Sequence, residues 1–205
     1  MRNPLLTIWR HPRETLQEIL DTRWSSFVWL IPIVYLIGIY DMFSLSLRNN
    51  TGDTVTLPSL IILSFIFAIF WGPMSWGLDS LLYWGMGRIL RGTGEWRESS
   101  VAAGWSKVPL IITLFTYWLP MILLYGRGFF QTETPPQSLL QGIFTLILYP
   151  LWIAIFVYYV YITSQILAEA HEFESGWKGF LVYILSKLVY IIALLFIFVL
   201  YELVS

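Results

Sequence analysis

Five apolar runs, nearly free of charge and each close to the length of a bilayer crossing, decide what this chain of 205 residues is able to fold into. A helix needs about 20 apolar residues to cross the ~30 Å hydrocarbon core. Trp24–Leu47 holds one acid, Asp41, near its far end. Leu57–Leu78 has no charge and continues as a helix through Asp79 to Arg88. Val108–Tyr125 is the shortest run, Ile143–Ile166 is uncharged, and Gly179–Tyr201 is interrupted once, by Lys187. Hydrophobic residues make up 57% of the chain and charged ones 12%, against about 45–50% and about 25% in soluble domains. Water would require nearly all of these apolar side chains to be buried, whereas a bilayer accepts them outside. The expected fold is therefore all-α: a polytopic membrane bundle of five transmembrane helices, with spans at 24–47, 57–88, 108–125, 143–166 and 179–201. The 11 Trp and 12 Tyr agree, because amphipathic rings suit membrane interfaces.

Lys and Arg are retained in cytoplasmic loops, so their distribution predicts orientation. Four precede the first span (Arg2, Arg10, Arg13, Arg23) and four follow the second (Arg88, Arg91, Arg97, Lys107), while the alternate loops hold only Arg48 and Arg127. The amino terminus is expected in the cytoplasm and the carboxyl terminus outside. No early apolar core of a signal peptide precedes the first span, so the start is expected to be retained. Residues 1–23 are read as a cytoplasmic segment and 24–205 as the five-helix domain. Within the leading segment, "HPRETLQEIL" predicts a short amphipathic helix with Pro12 at its first position and Leu16, Ile19 and Leu20 on one side. That side is expected to rest on the inner membrane surface.

Asp79 and Lys187 are the ionisable residues placed well inside the hydrocarbon, where facing lipid would cost about 2.5–3.5 kcal/mol each. Each lies nine positions from an inner-edge anchor, Arg88 or Lys178, which is ~13 Å at 1.5 Å per residue. Equal depth is what pairing requires. A salt bridge docking the second span on the fifth is the favoured reading, and a polar pathway for protons, ions or substrate is the alternative. Pro32, Pro73, Pro109, Pro120 and Pro150 fall in or at the ends of spans, where kinks are usually architectural. Ala68 and Gly72 form a small-xxx-small pair that would admit a close helix neighbour.

Catalytic chemistry is nearly absent. Cys is missing, and so are HExxH, GxSxG and a paired intramembrane Asp motif. His171 in "EAHEFES", with Glu169, Glu172 and Glu174, is read as a solvated loop in preference to a loose metal site. Gly85/Gly87 and Gly92/Gly94 follow a membrane helix and not a strand, so they are read as turn residues and not a phosphate loop. A net charge of −1 excludes a broad basic surface for nucleic acid. No cofactor or metal is expected.

The segment "WGMGRILRGTGEWRESSVAAGWSKVPLII" carries Gly87, Arg88, Gly92, Gly94, Gly104, Trp105, Ser106 and Pro109 in an order that resembles the Yip1 family, in its bacterial branch. Asn3, Pro4, Trp9, Pro12, Arg13 and Thr15 resemble that family's opening segment, and "AEAHEFESGWKG" its last turn. "IFWGP" at 69–73 lacks the Asp of the eukaryotic motif. The resemblance implies a five-helix protein of the bacterial plasma membrane with a cytoplasmic start. The expected function is that of a non-enzymatic adaptor or scaffold in contact with lipid and with another membrane protein, an ABC-type exporter or a second copy among the candidates. The alternative is a small transporter or lipid-binding channel built on Asp79 and Lys187. Arg88, Arg91 and Arg97, with Trp96 and Trp105, offer basic and aromatic contacts to anionic headgroups or a partner, and the equal reading is that they are topology determinants and interfacial anchors.

Overall fold

The structure is a computed structural model that describes residues 3–133 and 138–204, with 23–28 and 204 described by backbone alone. Arg2 lies outside the described residues, as do the side chains of Arg23 and Trp24. Two short helices open the chain, α1 (Pro4–Thr7) and α2 (Pro12–Asp21). α3 (Arg23–Arg48) and α4 (Leu57–Ile89) follow, separated by a 3-10 turn at Thr51–Asp53. α5 (Trp96–Trp105), α6 (Val108–Thr113) and α7 (Leu119–Tyr125) succeed one another with a π turn at Leu114–Trp118 between α6 and α7. α8 (Leu139–Ala170) and α9 (Gly176–Val204) complete the chain. Among the described residues, five stretches are long and apolar enough to cross a membrane: Trp29–Arg48, Leu57–Ile89, Trp96–Phe130, Leu139–Ala170 and Gly176–Leu203. The third is longer than the 108–125 run, because α5 extends it backward and a 3-10 turn at Gly126–Phe130 extends it forward.

The π turn has a local cause. Pro120 carries no N–H, so the helix cannot close its ordinary bond there. The turn just before it widens, and the Leu119 N–H bonds Leu114 O, five residues back.

The chain divides into two compact units. One comprises Met1–Ser26, Gly77–Ala103 and Val160–Ser205; the other comprises Phe27–Trp76 and Gly104–Tyr159. In the second, α3 and α4 touch through backbone. A Cβ on Gly38 would fall 2.7 Å from Ala68 O, and one on Gly72 would fall 2.4 Å from Val34 O. The small residues at 68 and 72 thus work with Gly38 to bring the two helices into contact. Trp118 centres the aromatic core of this unit, with Tyr40, Phe43 and Phe129 at 5.7–5.9 Å between ring centroids. Arg127 closes its loops by donating from Nη2 to Asp53 O at 2.9 Å and from Nε to Gly52 O.

In the first unit, Asn3 caps α1 by accepting from Leu5 N at 3.1 Å, and Pro4 and Pro12 open their helices as fixed-φ residues. The apolar side of α2 is turned into the protein: Leu16 is 1% and Ile19 2% exposed, and Ile8 upstream is fully buried. This corrects the expectation that it rests on the membrane surface. Arg13 explains the placement, because it donates from Nε to Gln165 Oε1 at 2.9 Å and from Nη1 to Phe173 O at 3.2 Å. Partners on α8 and in the turn after it anchor the helix that carries it.

Candidate functional site

Lys187 on α9 donates from Nζ to Asp79 Oδ1 on α4 at 2.8 Å. α4 is unbroken from Asp79 to Arg88 and α9 from Lys178 to Lys187, so a regular rise over equal numbers of residues carries the pair to one level. The Asp79 side chain is 13% exposed and that of Lys187 36%. The ammonium also lies 5.8 Å from the ring centroids of Tyr83 and Tyr183, within cation–π range. Opposite charges in direct contact, one of them framed by ring faces, cancel most of the field each would send into hydrocarbon. Ser80, Thr163 and Ser186 are fully buried in the same unit. Thr163 Oγ1 and Ser186 Oγ make no hydrogen bond among the described residues.

The ends of α4 and α8 form the second polar feature, and they are built alike. Arg91 has φ +65°, its N–H bonds Arg88 O at 3.0 Å, and Gly92 N bonds Gly87 O at 2.8 Å. Glu172 has φ +56°, its N–H bonds Glu169 O at 3.0 Å, and Phe173 N bonds Ala168 O at 2.7 Å. Both are Schellman caps, each with a side-chain-bearing residue where glycine is favoured. They are tied together by Thr93, whose N–H bonds His171 O at 3.3 Å and whose hydroxyl donates to Glu172 Oε2 at 2.5 Å.

His171 fills the space between these caps and is 1% exposed. Gly87, Gly92 and Gly94 make that space. A Cβ on Gly87 would fall 2.1 Å from the ring's Cε1, one on Gly92 2.8 Å from the His171 Cβ, and one on Gly94 2.6 Å from Nδ1. Nε2 lies 3.1 Å from Tyr83 O and 3.4 Å from Ser99 Oγ, so it is assigned the proton and donates to the carbonyl. Nδ1 is buried without a hydrogen-bond partner among the described residues. Burial pushes the imidazole below its ordinary pKa of 6.5; the Tyr83 carbonyl opposes this and the Arg88 charge adds to it. His171 is a neutral ring locked among backbones.

The solvated-loop expectation is thereby corrected for His171, while Glu172 and Glu174 are exposed. Among the described residues no three His, Cys, Asp or Glu side chains gather as a metal site would require. Gly85 and Gly87 lie inside α4 and not in a turn, and the left-handed residue of the following turn is Arg91. The motif residues fall into two places. Gly87, Arg88, Gly92 and Gly94 belong to the unit of His171, whereas Gly104, Trp105, Ser106 and Pro109 belong to the other. There Gly104 packs on Leu30, its Cβ position 2.1 Å from Leu30 Cδ1. Trp105 is 1% exposed and Ser106 fully buried, and Pro109 opens α6. Trp105 is therefore a core residue and not a surface contact. Ser99 and Gln165 were missed by sequence reasoning, and nothing local marks either one. Arg13 stands out in the sequence as an orientation charge and as part of the opening motif, but not as an anchor for α2.

The Yip1 domain family model matches residues 6–198. No curated protein matches the chain, and neither does any solved structure. The match runs from before α2 into α9, covering the glycine cradle, the buried histidine, the first four membrane-length apolar stretches found among the described residues and most of the fifth, and on it the chain belongs to the Yip1 domain family as a multi-pass membrane protein.

Proposed function

We propose that this protein is a non-enzymatic adaptor or scaffold that binds another membrane protein, or a second copy of itself, within the bilayer. The observation that carries the reading is how little the most apolar stretch of α8 packs within the protein, in contrast to the buried last turns of the same helix at Ile162, Ile166 and Leu167. Only 6% of its most apolar stretch is buried, against 56% for that of Trp96–Phe130. A stretch so little engaged leaves its surface to lipid or to a partner. The groups suited to chemistry are meanwhile committed to one another: Asp79 to Lys187, and His171 to a carbonyl and three glycines. An ABC-type exporter is one class of partner that the family resemblance suggests. On this reading the protein resides in a bacterial plasma membrane, with residues 1–23 cytoplasmic ahead of the five-helix domain 24–205 and the carboxyl end outside.

A photo-crosslinking residue at Val157, which is 62% exposed on α8, tests this in native membranes. A discrete adduct of defined mass, with the chain or a partner, is expected. A protein that stays monomeric in mild detergent and gives no adduct contradicts the proposal.

A second reading, a small transporter or lipid-binding channel, is favoured by one observation: Lys187 keeps 36% of its side chain exposed despite its partner. On that reading Asp79→Asn abolishes flux or lipid association while leaving folding intact. Equal loss of both with instability returns the pair to an architectural role.

A further inference from the structure

The crossing of α3 and α4 brings backbones together at Gly38, Ala68 and Gly72 and leaves a groove beside it in the same unit. From Ala68 the groove runs along α4 past Pro73 to Trp76, and along α3 from Val34 to Leu30, enclosing about 310 Å³. That is the lower end of the range for small-ligand sites. Its mouth is framed by Ile31 and Ile69, which are 66% and 56% exposed. The one hydroxyl on its wall, that of Tyr35, is turned to Phe65 O at 3.2 Å, so the groove presents ring and not oxygen. Gly104 lets two of the lining residues, Leu30 and Trp76, sit against its backbone.

We infer that this groove holds one acyl chain of a bilayer phospholipid. Water does not fill it, because a buried water needs two to four polar partners, and the two polar side chains of the lining, Tyr35 and Trp76, turn no polar surface into the groove. An empty slot would forfeit dispersion contacts along its whole wall. The mouth opens between two stretches of membrane length and is continuous with the lipid-facing surface of α4, where Phe65 and Phe70 are 45% and 72% exposed. A slot of this volume admits a thin flexible chain and not a helix. The hydrocarbon medium is already in contact with the mouth, so an acyl chain reaches the site without crossing a polar layer. The site is separate from Asp79 and Lys187 and does not depend on the adaptor reading.

Native mass spectrometry of the full-length protein released from mild detergent tests the inference. Wild type is expected to retain phospholipid. Ile69→Trp, which fills the mouth from a lipid-facing position, is expected to lower retention about tenfold, equivalent to one decade in affinity. Ile192→Trp, at a comparably exposed site on α9, is expected to retain lipid as wild type does. Should Ile69→Trp fail to fold, Ile31→Phe closes the same mouth and reads out identically. Wild type without retained phospholipid, retention of a free fatty acid alone, or equal retention by the groove-filled and wild-type proteins overturns the assignment.

Discussion

The imidazole of His171 rests directly on the backbone of Gly87, so that a methyl group at position 87 would fall 2.1 Å from its Cε1. Residues 84 positions apart in sequence are in van der Waals contact because neither Gly87 nor its neighbours Gly92 and Gly94 carry a side chain. Gly87→Ala should therefore cost about 1–3 kcal/mol, the range for overpacking a filled site. His171→Ala removes the obstacle, so the double variant should lose less than the sum of the single losses. Thermal denaturation in detergent reads out all three.

His171 also makes stability depend on pH, with a definite sign. Its pKa is lowered in the fold, so between the lowered value and 6.5 the unfolded chain binds more protons than the folded one. Stability then rises with pH in that window. Its full contribution is present above 6.5, and it is lost as pH falls toward the folded value. Melting temperatures measured from about pH 8 to about pH 5 should fall on acidification. His171→Asn should flatten the curve.

The backbone contact between α3 and α4 makes a third case. A Cβ on Gly38 would fall 2.7 Å from Ala68 O, so Gly38→Ala must push the helices apart or strain one of them. A loss of about 1–3 kcal/mol is expected. Gly77→Ala offers the control, since a Cβ there meets nothing within 4 Å. It should leave stability unchanged or raise it, because alanine is the better helix former.

Arg91 holds a left-handed conformation at φ +65° on an exposed turn. Replacing it with glycine should stabilise the protein by about 0.5–1 kcal/mol, the left-handed penalty less the entropy of glycine. If Arg91 contacts anionic headgroups, Arg91→Gly should at the same time weaken association with vesicles rich in phosphatidylglycerol, and cosedimentation measures that directly.

Much of the fold was legible because hydrocarbon imposes one rule on every span. A run of about 20 apolar residues is readable without knowing its neighbours, and Asp79 and Lys187 could be placed at one depth by counting along helices that turned out to be unbroken. His171 was not legible for the opposite reason. Its burial is set by Gly87, Gly94 and Tyr83, distant in sequence, and by two caps whose left-handed residues are Arg91 and Glu172, types that do not announce such a turn. The inward face of α2 was hidden likewise, because Arg13 finds its partners about 150 positions away at Gln165 and Phe173. The family motif, read as one segment, divides in space because Gly87 and Gly104 serve different packing contacts.

The central claim is that the intramembrane charges hold helices together and perform no chemistry. Asp79→Leu, Lys187→Leu and the double variant, compared by thermal melting and by the Val157 crosslink, test it most directly. Breaking the pair by one change should cost about 3–5 kcal/mol, while replacing both partners with apolar side chains should restore most of the loss. The double variant should give the wild-type adduct. Single variants as stable as wild type, or a stable double variant that no longer forms the adduct, would contradict the account.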